Sequence, residues 1–255
     1  MRRLLCIAIL LFGTFLILTP ESRSQPNGWG EHFFRANQAC KEGRFQDAVD
    51  EYERLIHAGH ENGHIYYNLG NAYFRLERIG YAILNYERAR AMIPRDADLN
   101  FNLRYARDQI QDAIEEPQDL MMMAFFWMES LNIHELFWIF VVLNVLFWGI
   151  LVIRLFIRPE WTFYISIILL VFWVITGSSF GLKYFQQEND DRGVILRQEV
   201  NILAGPDVHD TVLFKLHEGT IVHHERSEED WSLIRLPDEK RGWVKVDELE
   251  RIRFF

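Results

Sequence analysis

The sequence predicts a multidomain membrane protein with three parts in order: an all-α repeat domain, a two-helix transmembrane hairpin and a small all-β barrel. Three observations carry this reading. Two uncharged runs, Leu136 to Ile153 and Trp161 to Leu182, stand a few residues apart; the chain before them resembles itself at a shift of 34; and from about 193 onward short β-type runs alternate with turn signals. The 255 residues include 36 acidic and 27 basic side chains, for a formal charge of −9. Between 120 and 182 the only charges are Glu129, Glu135, Arg154, Arg158 and Glu160. An apolar centre between two acidic flanks excludes a single soluble core, and neither flank has the basic excess that nucleic-acid binding requires.

The first 24 residues read as a secretory signal. Arg2 and Arg3 precede an apolar run from Leu4 to Leu18, Thr19-Pro20 ends it, and Ser22-x-Ser24 supplies small residues for cleavage. An uncleaved anchor is the alternative, and in both cases the following chain is exported. Cleavage removes Cys6 and leaves Cys40 as one thiol, which excludes an intramolecular disulfide and a cysteine zinc site.

The uncharged runs are about 27 and 33 Å long at 1.5 Å per residue, enough to cross a hydrocarbon core. They predict membrane helices over 136–155 and 161–182, joined by a cytoplasmic loop at 156–160. Arg154 and Arg158 outnumber Glu160 there, and the positive-inside rule keeps that end in the cytoplasm. Both terminal domains then lie outside the cytoplasm, in agreement with the signal. Residues 117–135 read as an interfacial linker, and tryptophans such as Trp127, Trp138 and Trp161 as interfacial anchors.

In the domain at 25–116 the shift of 34 aligns Phe33 with Tyr67 and Phe101, Ala36 with Gly70, Asn37 with Asn71, Lys41 with Arg75, Ala48 with Ala82, and Tyr52 with Tyr86. Tyr66, Leu69, Gly70, Tyr73, Ala82, Tyr86, Ala89 and Pro94 follow the tetratricopeptide pattern, which this domain resembles. The first copy is degenerate, and the third supplies one capping helix up to about Glu116. The resemblance implies a ligand-binding face on the first helix of each repeat, holding Phe33, Asn37, Lys41, Tyr67, Asn71, Arg75, Phe101 and Tyr105. The asparagines would bond a peptide backbone and Lys41 with Arg75 would meet a carboxylate. Alternatively these residues are solvated on an architectural spacer, and Asn68 and Asn102 could tie adjacent helices together.

The runs Val200-Asn201-Ile202, Val212-Leu213-Phe214, Ile221-Val222, Trp231 to Ile234 and Gly242-Trp243-Val244 predict a barrel over 193–255. With Gly205-Pro206 and His217-Glu218-Gly219-Thr220 between them, they resemble the bacterial SH3-like domain. Leu203 stands where that family often has arginine, so no ligand contact of that arginine transfers. Trp231 and Trp243 are the candidate SH3-like surface, with core or rim packing as the alternative.

Other chemistry is poorly supported. His57, His60 and His64 straddle a turn, and His223-His224 alternate across a strand, so neither group converges on a metal. Ser178 and Ser179 lack a nucleophile setting, and there is no P-loop or dinucleotide fingerprint. No metal, no cofactor and no enzymatic activity are therefore expected. The order of signal, repeats, hairpin and SH3-like domain resembles the BatE proteins of aerotolerance-type operons. That resemblance implies a scaffold in the bacterial inner membrane, with both terminal domains periplasmic, that binds protein or peptide ligands. It also implies partners that are von Willebrand factor A-domain membrane proteins acting with a MoxR-type ATPase in envelope or stress homeostasis. The rival expectation is a cell-wall sensor whose SH3-like domain binds a wall ligand. Its short cytoplasmic loop would force any relay through helix packing.

Overall fold

The computed structural model describes residues 28–112, 125 and 127–252. The signal segment at 1–24 and residues 117–124 and 126 of the linker lie outside the described residues. Among the described residues five helices form the first unit: α1 (Gly28–Lys41), α2 (Phe45–His57), α3 (Gly63–Arg75), α4 (Ile79–Met92) and α5 (Ala97–Arg107). A short α6 (Trp127–Ser130) leads to α7 (Ile133–Phe156) and α8 (Glu160–Glu188). The chain ends in an antiparallel sheet of β1 (Arg192–Ile195), β2 (Glu199–Leu203), β3 (Val212–His217), β4 (Ile221–Glu228), β5 (Trp231–Arg235), β6 (Arg241–Lys245) and β7 (Leu249–Arg251).

The 34-residue period reappears in the backbone and in the hydrogen bonds. Gly43 and Glu77 occupy equivalent turns, and both adopt left-handed φ, of 76° and 60°. Each turn is closed by an equivalent bond, Arg44 N–H to Ala39 O at 2.9 Å and Arg78 N–H to Tyr73 O at 3.0 Å. Between helices, Tyr52 donates its hydroxyl to Asn37 Oδ1 at 2.7 Å and Tyr86 donates to Asn71 Oδ1 at 2.8 Å. Gly70 admits the ring of Tyr86: a Cβ there would lie 2.6 Å from Tyr86 Cδ1. Helix α3 is capped by Asn62, whose side chain accepts from His64 N–H, and α5 by Asp96, which accepts from Leu99 N–H. Helix α5 stops at Arg107, short of the expected Glu116, and the chain from Asp108 turns toward the barrel.

Helices α7 and α8 are long and apolar enough to cross a membrane, with mean hydropathies of 2.7 and 2.1. Only 17% and 11% of their apolar windows are buried, so they are not core helices of a soluble fold. Each exceeds its predicted span, 136–155 and 161–182, leaving Ile157 to Pro159 as the loop. Asn132 and Glu135 form a capping box that starts α7. Phe140 packs over Gly177, where a Cβ would lie 2.9 Å from Phe140 Cε2, whereas Gly181 and Gly149 face open space.

The sheet runs β3-β2-β6-β5-β4-β1-β7. It curls so that side chains from both ends, Leu216 and Ile202 at one and Ile195 and Leu249 at the other, share a core with Val222, Ile234 and Val244. A second core crosses the unit boundary: Val194, Leu196 and Ile252 of the barrel are buried in the same cluster as Ile83, Leu84 and Leu103 of the helices. The helical unit and the barrel are therefore packed as one body.

Candidate functional site

The face built by α1, α3 and α5 carries the eight predicted ligand-facing residues, and the structure distributes them unevenly. Phe101 and Tyr105 are 61% and 51% exposed. Their rings stack at 6.4 Å, and Tyr105 also meets Phe74 at 5.7 Å. Beside them a cavity of about 320 Å³ is lined by Phe101, Arg104, Tyr105, Arg107 and Asp108. Lys41 and Arg75 are both exposed, and Arg75 lies over the Phe45 ring, 5.3 Å from its centre. Phe33 and Tyr67 are half-buried, edge-on or tilted against Tyr52 and Tyr86.

Asn37 and Asn71 are engaged inside the fold through their carbonyl oxygens. Each was expected to offer its amide to a ligand backbone, but each Oδ1 accepts two internal bonds. Asn37 takes Tyr52 OH and Asn68 Nδ2, the latter at 3.3 Å; Asn71 takes Tyr86 OH and Asn102 Nδ2, the latter at 2.9 Å. Two donors fill both lone pairs of a carbonyl oxygen, leaving only the amide nitrogen for a ligand. Asn68 and Asn102 accordingly tie adjacent helices. Burial pushes the Tyr52 and Tyr86 hydroxyls well above the ordinary tyrosine range, so they remain donors at every physiological pH.

Sequence reasoning missed a second constellation, at the junction of α4, α5 and the barrel. Gly80, at the start of α4, lies against the barrel backbone. A Cβ on it would be 2.5 Å from Ile195 O and 3.2 Å from Gly219 N. Gly219 turns there with φ 87°, and a Cβ on it would meet Ile83 and Ile110 at 2.9 and 3.1 Å. Gly80 N–H, one of the donors that a helix start leaves without an intrahelical partner, reaches Glu218 Oε2 at 3.3 Å. Asp112 clasps the same turn: its Oδ2 accepts from His217 N–H and from Thr220 Oγ1, both at 2.7 Å, and His217 Nδ1 lies 3.0 Å from Oδ1. Burial alone would raise the Asp112 carboxyl, but the bonds from Thr220 and His217 outweigh it and hold it below its ordinary value.

Two ion-pair groups flank the clasp. Glu87 has a 1% exposed side chain and faces Arg107 at 2.5 Å, Arg90 at 2.8 Å and Arg192 at 3.7 Å. Burial would raise its pKa; the three guanidiniums outweigh it and keep the carboxylate charged. Arg88 donates Nη2 to Glu250 Oε1 and to Arg251 O, both at 2.8 Å. Nothing in the periodicity marks Glu87, Arg88 or Asp112. The His217-to-Thr220 turn was visible only as a resemblance motif.

On the outer face of the sheet Trp231 is half-exposed, but Trp243 is 6% exposed and lies under Arg226, 5.3 Å from its ring centre. Cross-strand pairing with Leu203 and Leu233 encloses Trp243, so it belongs to the packing alternative rather than to an open surface. Among the described residues no group of three His, Cys, Asp or Glu is placed to hold a metal.

Comparison with known families matches residues 197–250 to the bacterial SH3 domain. The matched segment covers β2 to β6 and most of β7, so the C-terminal sheet is similar to that domain. No curated protein matches the chain.

Proposed function

We propose that this protein is a non-enzymatic, membrane-anchored scaffold that displays a tetratricopeptide-type face and a bacterial SH3-like barrel as one body outside the cytoplasm. The observation that carries this reading is the core shared by Val194, Leu196 and Ile252 with Ile83 and Leu103. Two modules that bury apolar surface against each other hold their outward faces at a set separation, which is what a scaffold requires. Cys40 is a poor nucleophile, since burial raises its pKa.

The ligand-facing part of the helical unit is the aromatic end of α5. Phe101 and Tyr105 expose broad ring surface beside a concavity, and rigid aromatics of this kind anchor peptides at low entropic cost. The resemblance to BatE proteins extends the reading to a Bat-type envelope or stress system, with von Willebrand factor A-domain membrane proteins as partners. Arg154 and Arg158 at the loop and the apolar leader support periplasmic placement of both units. The direct contact between the units before and after the hairpin fits that placement.

The test is in-cell crosslinking followed by co-purification of wild type and Phe101→Ala with Tyr105→Ala, at matched expression. Both side chains are exposed, so the fold should persist while capture drops by at least about tenfold. Equal recovery of the same proteins from both would leave the helices as a spacer. A cytoplasm-only reporter fused after residue 255 should be silent, and an active fusion would overturn the sidedness.

A further inference from the structure

We propose that packing of α7 against α8 and docking of the barrel on the helical unit are one coupled equilibrium, so that a change inside the hairpin is transmitted to the soluble face. The attachment of each unit carries the argument. Only Asn189, Asp190 and Asp191 separate α8 from β1, and these residues are not a loose linker. Asp190 holds Arg192 through Nε at 2.9 Å and Nη2 at 2.8 Å, and Asp191 Oδ1 lies 2.7 Å from His223 Nδ1 on the neighbouring strand β4. The barrel therefore rides on the end of α8.

The helical unit is fastened to the other membrane helix. Asn132, the N-cap of α7, donates Nδ2 to Met92 O at the end of α4, at 3.2 Å. Arg95, three residues beyond α4, pairs with Glu135 in the first turn of α7. The residues that start α7 are thus the residues that grip the helical unit. Between the two helices, Lys183 of α8 donates to Met128 O and Leu131 O ahead of α7, and Trp127 Nε1 donates to Ser179 Oγ at 3.1 Å.

Helix α8 carries the barrel, α7 carries the helical unit, and besides the Lys183 and Trp127 bonds two joints matter here. One joint is the seam where Phe140 covers Gly177; the other is the clasp at Gly80, Asp112 and the His217-to-Thr220 turn. Bodies joined at two places without slack cannot shift at one joint without straining the other, and thermodynamic coupling between them is reciprocal. The glycines supply a specific probe. A side chain at position 177 must push on Phe140, while one at 181 or 149 meets open space.

The experiment is amide hydrogen exchange by mass spectrometry on the full chain in detergent micelles, read at the clasp amides of Gly80 and His217. Gly177→Leu should raise exchange at both by about tenfold, the scale of a coupling near 1.4 kcal/mol. Gly181→Leu and Gly149→Leu should leave it at the wild-type rate. Gly177→Ala, a gentler variant that keeps the protein folded if leucine does not, should give a smaller rise in the same direction. Wild-type exchange at the clasp in both Gly177 variants would overturn the proposal. So would an equal rise in all three leucine variants, or a rise that spreads equally into the β4–β5 ladder, since each would indicate general loosening.

Discussion

Gly80→Ala should destabilise the protein, although the same change in an isolated helix is favourable by up to about 1 kcal/mol. The added Cβ would lie 2.5 Å from Ile195 O. An ordinary carbon–oxygen contact is about 3.3 Å, so the barrel must retreat by roughly 0.8 Å. Its backbone has no side-chain torsion with which to yield. The same retreat would stretch the bonds of His217 N–H and Thr220 Oγ1 to Asp112 from 2.7 Å to about 3.5 Å, the outer limit of a hydrogen bond. Two bonds to a carboxylate are worth roughly 1.5–3 kcal/mol each, and partial loss of both less the helical gain leaves a net cost of about 2–4 kcal/mol. Calorimetry of the full chain in detergent measures this, with Gly28→Ala, whose added Cβ would meet nothing within 4 Å, as the control. A melting temperature equal to or above wild type in Gly80→Ala would refute the close docking of barrel on helix.

Three further outcomes follow from named contacts. Gly70→Leu must displace the Tyr86 ring from its place against α3, together with its bond to Asn71, and should cost about 2 kcal/mol or more in the same calorimetry. Glu77→Gly should stabilise by about 1 kcal/mol, because a non-glycine residue sits at φ 60° where the preceding repeat has Gly43; equilibrium unfolding that shows a loss would remove the equivalence of the two turns. Docking should also be acid-sensitive. The Glu87 and Asp112 carboxyls are held below their ordinary values of 4.5 and 3.8, so their contribution is fully present above about pH 5 and is lost as the pH falls through the depressed values. Tryptophan fluorescence between pH 6 and 2 should show the transition, and Glu87→Gln should flatten it; an unshifted curve in that variant would discount the Glu87 group.

Much of the architecture was legible because its signals are local. A run of uncharged residues reports a membrane-length helix wherever its neighbours lie, and alternation between turn residues and β-branched runs reports strands in the same way. The period of 34 is carried by residues such as Gly70, Ala82 and Tyr86 that touch within one repeat, so the spacing of the chain is also the spacing of the contacts. The place of Phe101 and Tyr105 on the exposed face of α5, equivalent to positions in the earlier repeats, was readable for that reason. The internal bonds of Asn37 and Asn71 were not readable, because a sequence alignment shows which positions are equivalent and not how many donors reach each oxygen.

By itself the sequence showed the two long apolar helices, the β region after them and the period of 34 ahead of them, and it showed His217 to Thr220 only as a resemblance motif. Only the tertiary structure decided that the first and last parts share a core, that Asp112 and Glu87 are interface residues and that Trp243 is enclosed. The partners at that junction are 105 to 163 residues apart in the chain. A buried Glu87 looks like any solvated helix residue until Arg107 and Arg192 arrive from other elements. Docking of this kind depends on the shape and charge left over after each unit has folded, and no period within either unit encodes it.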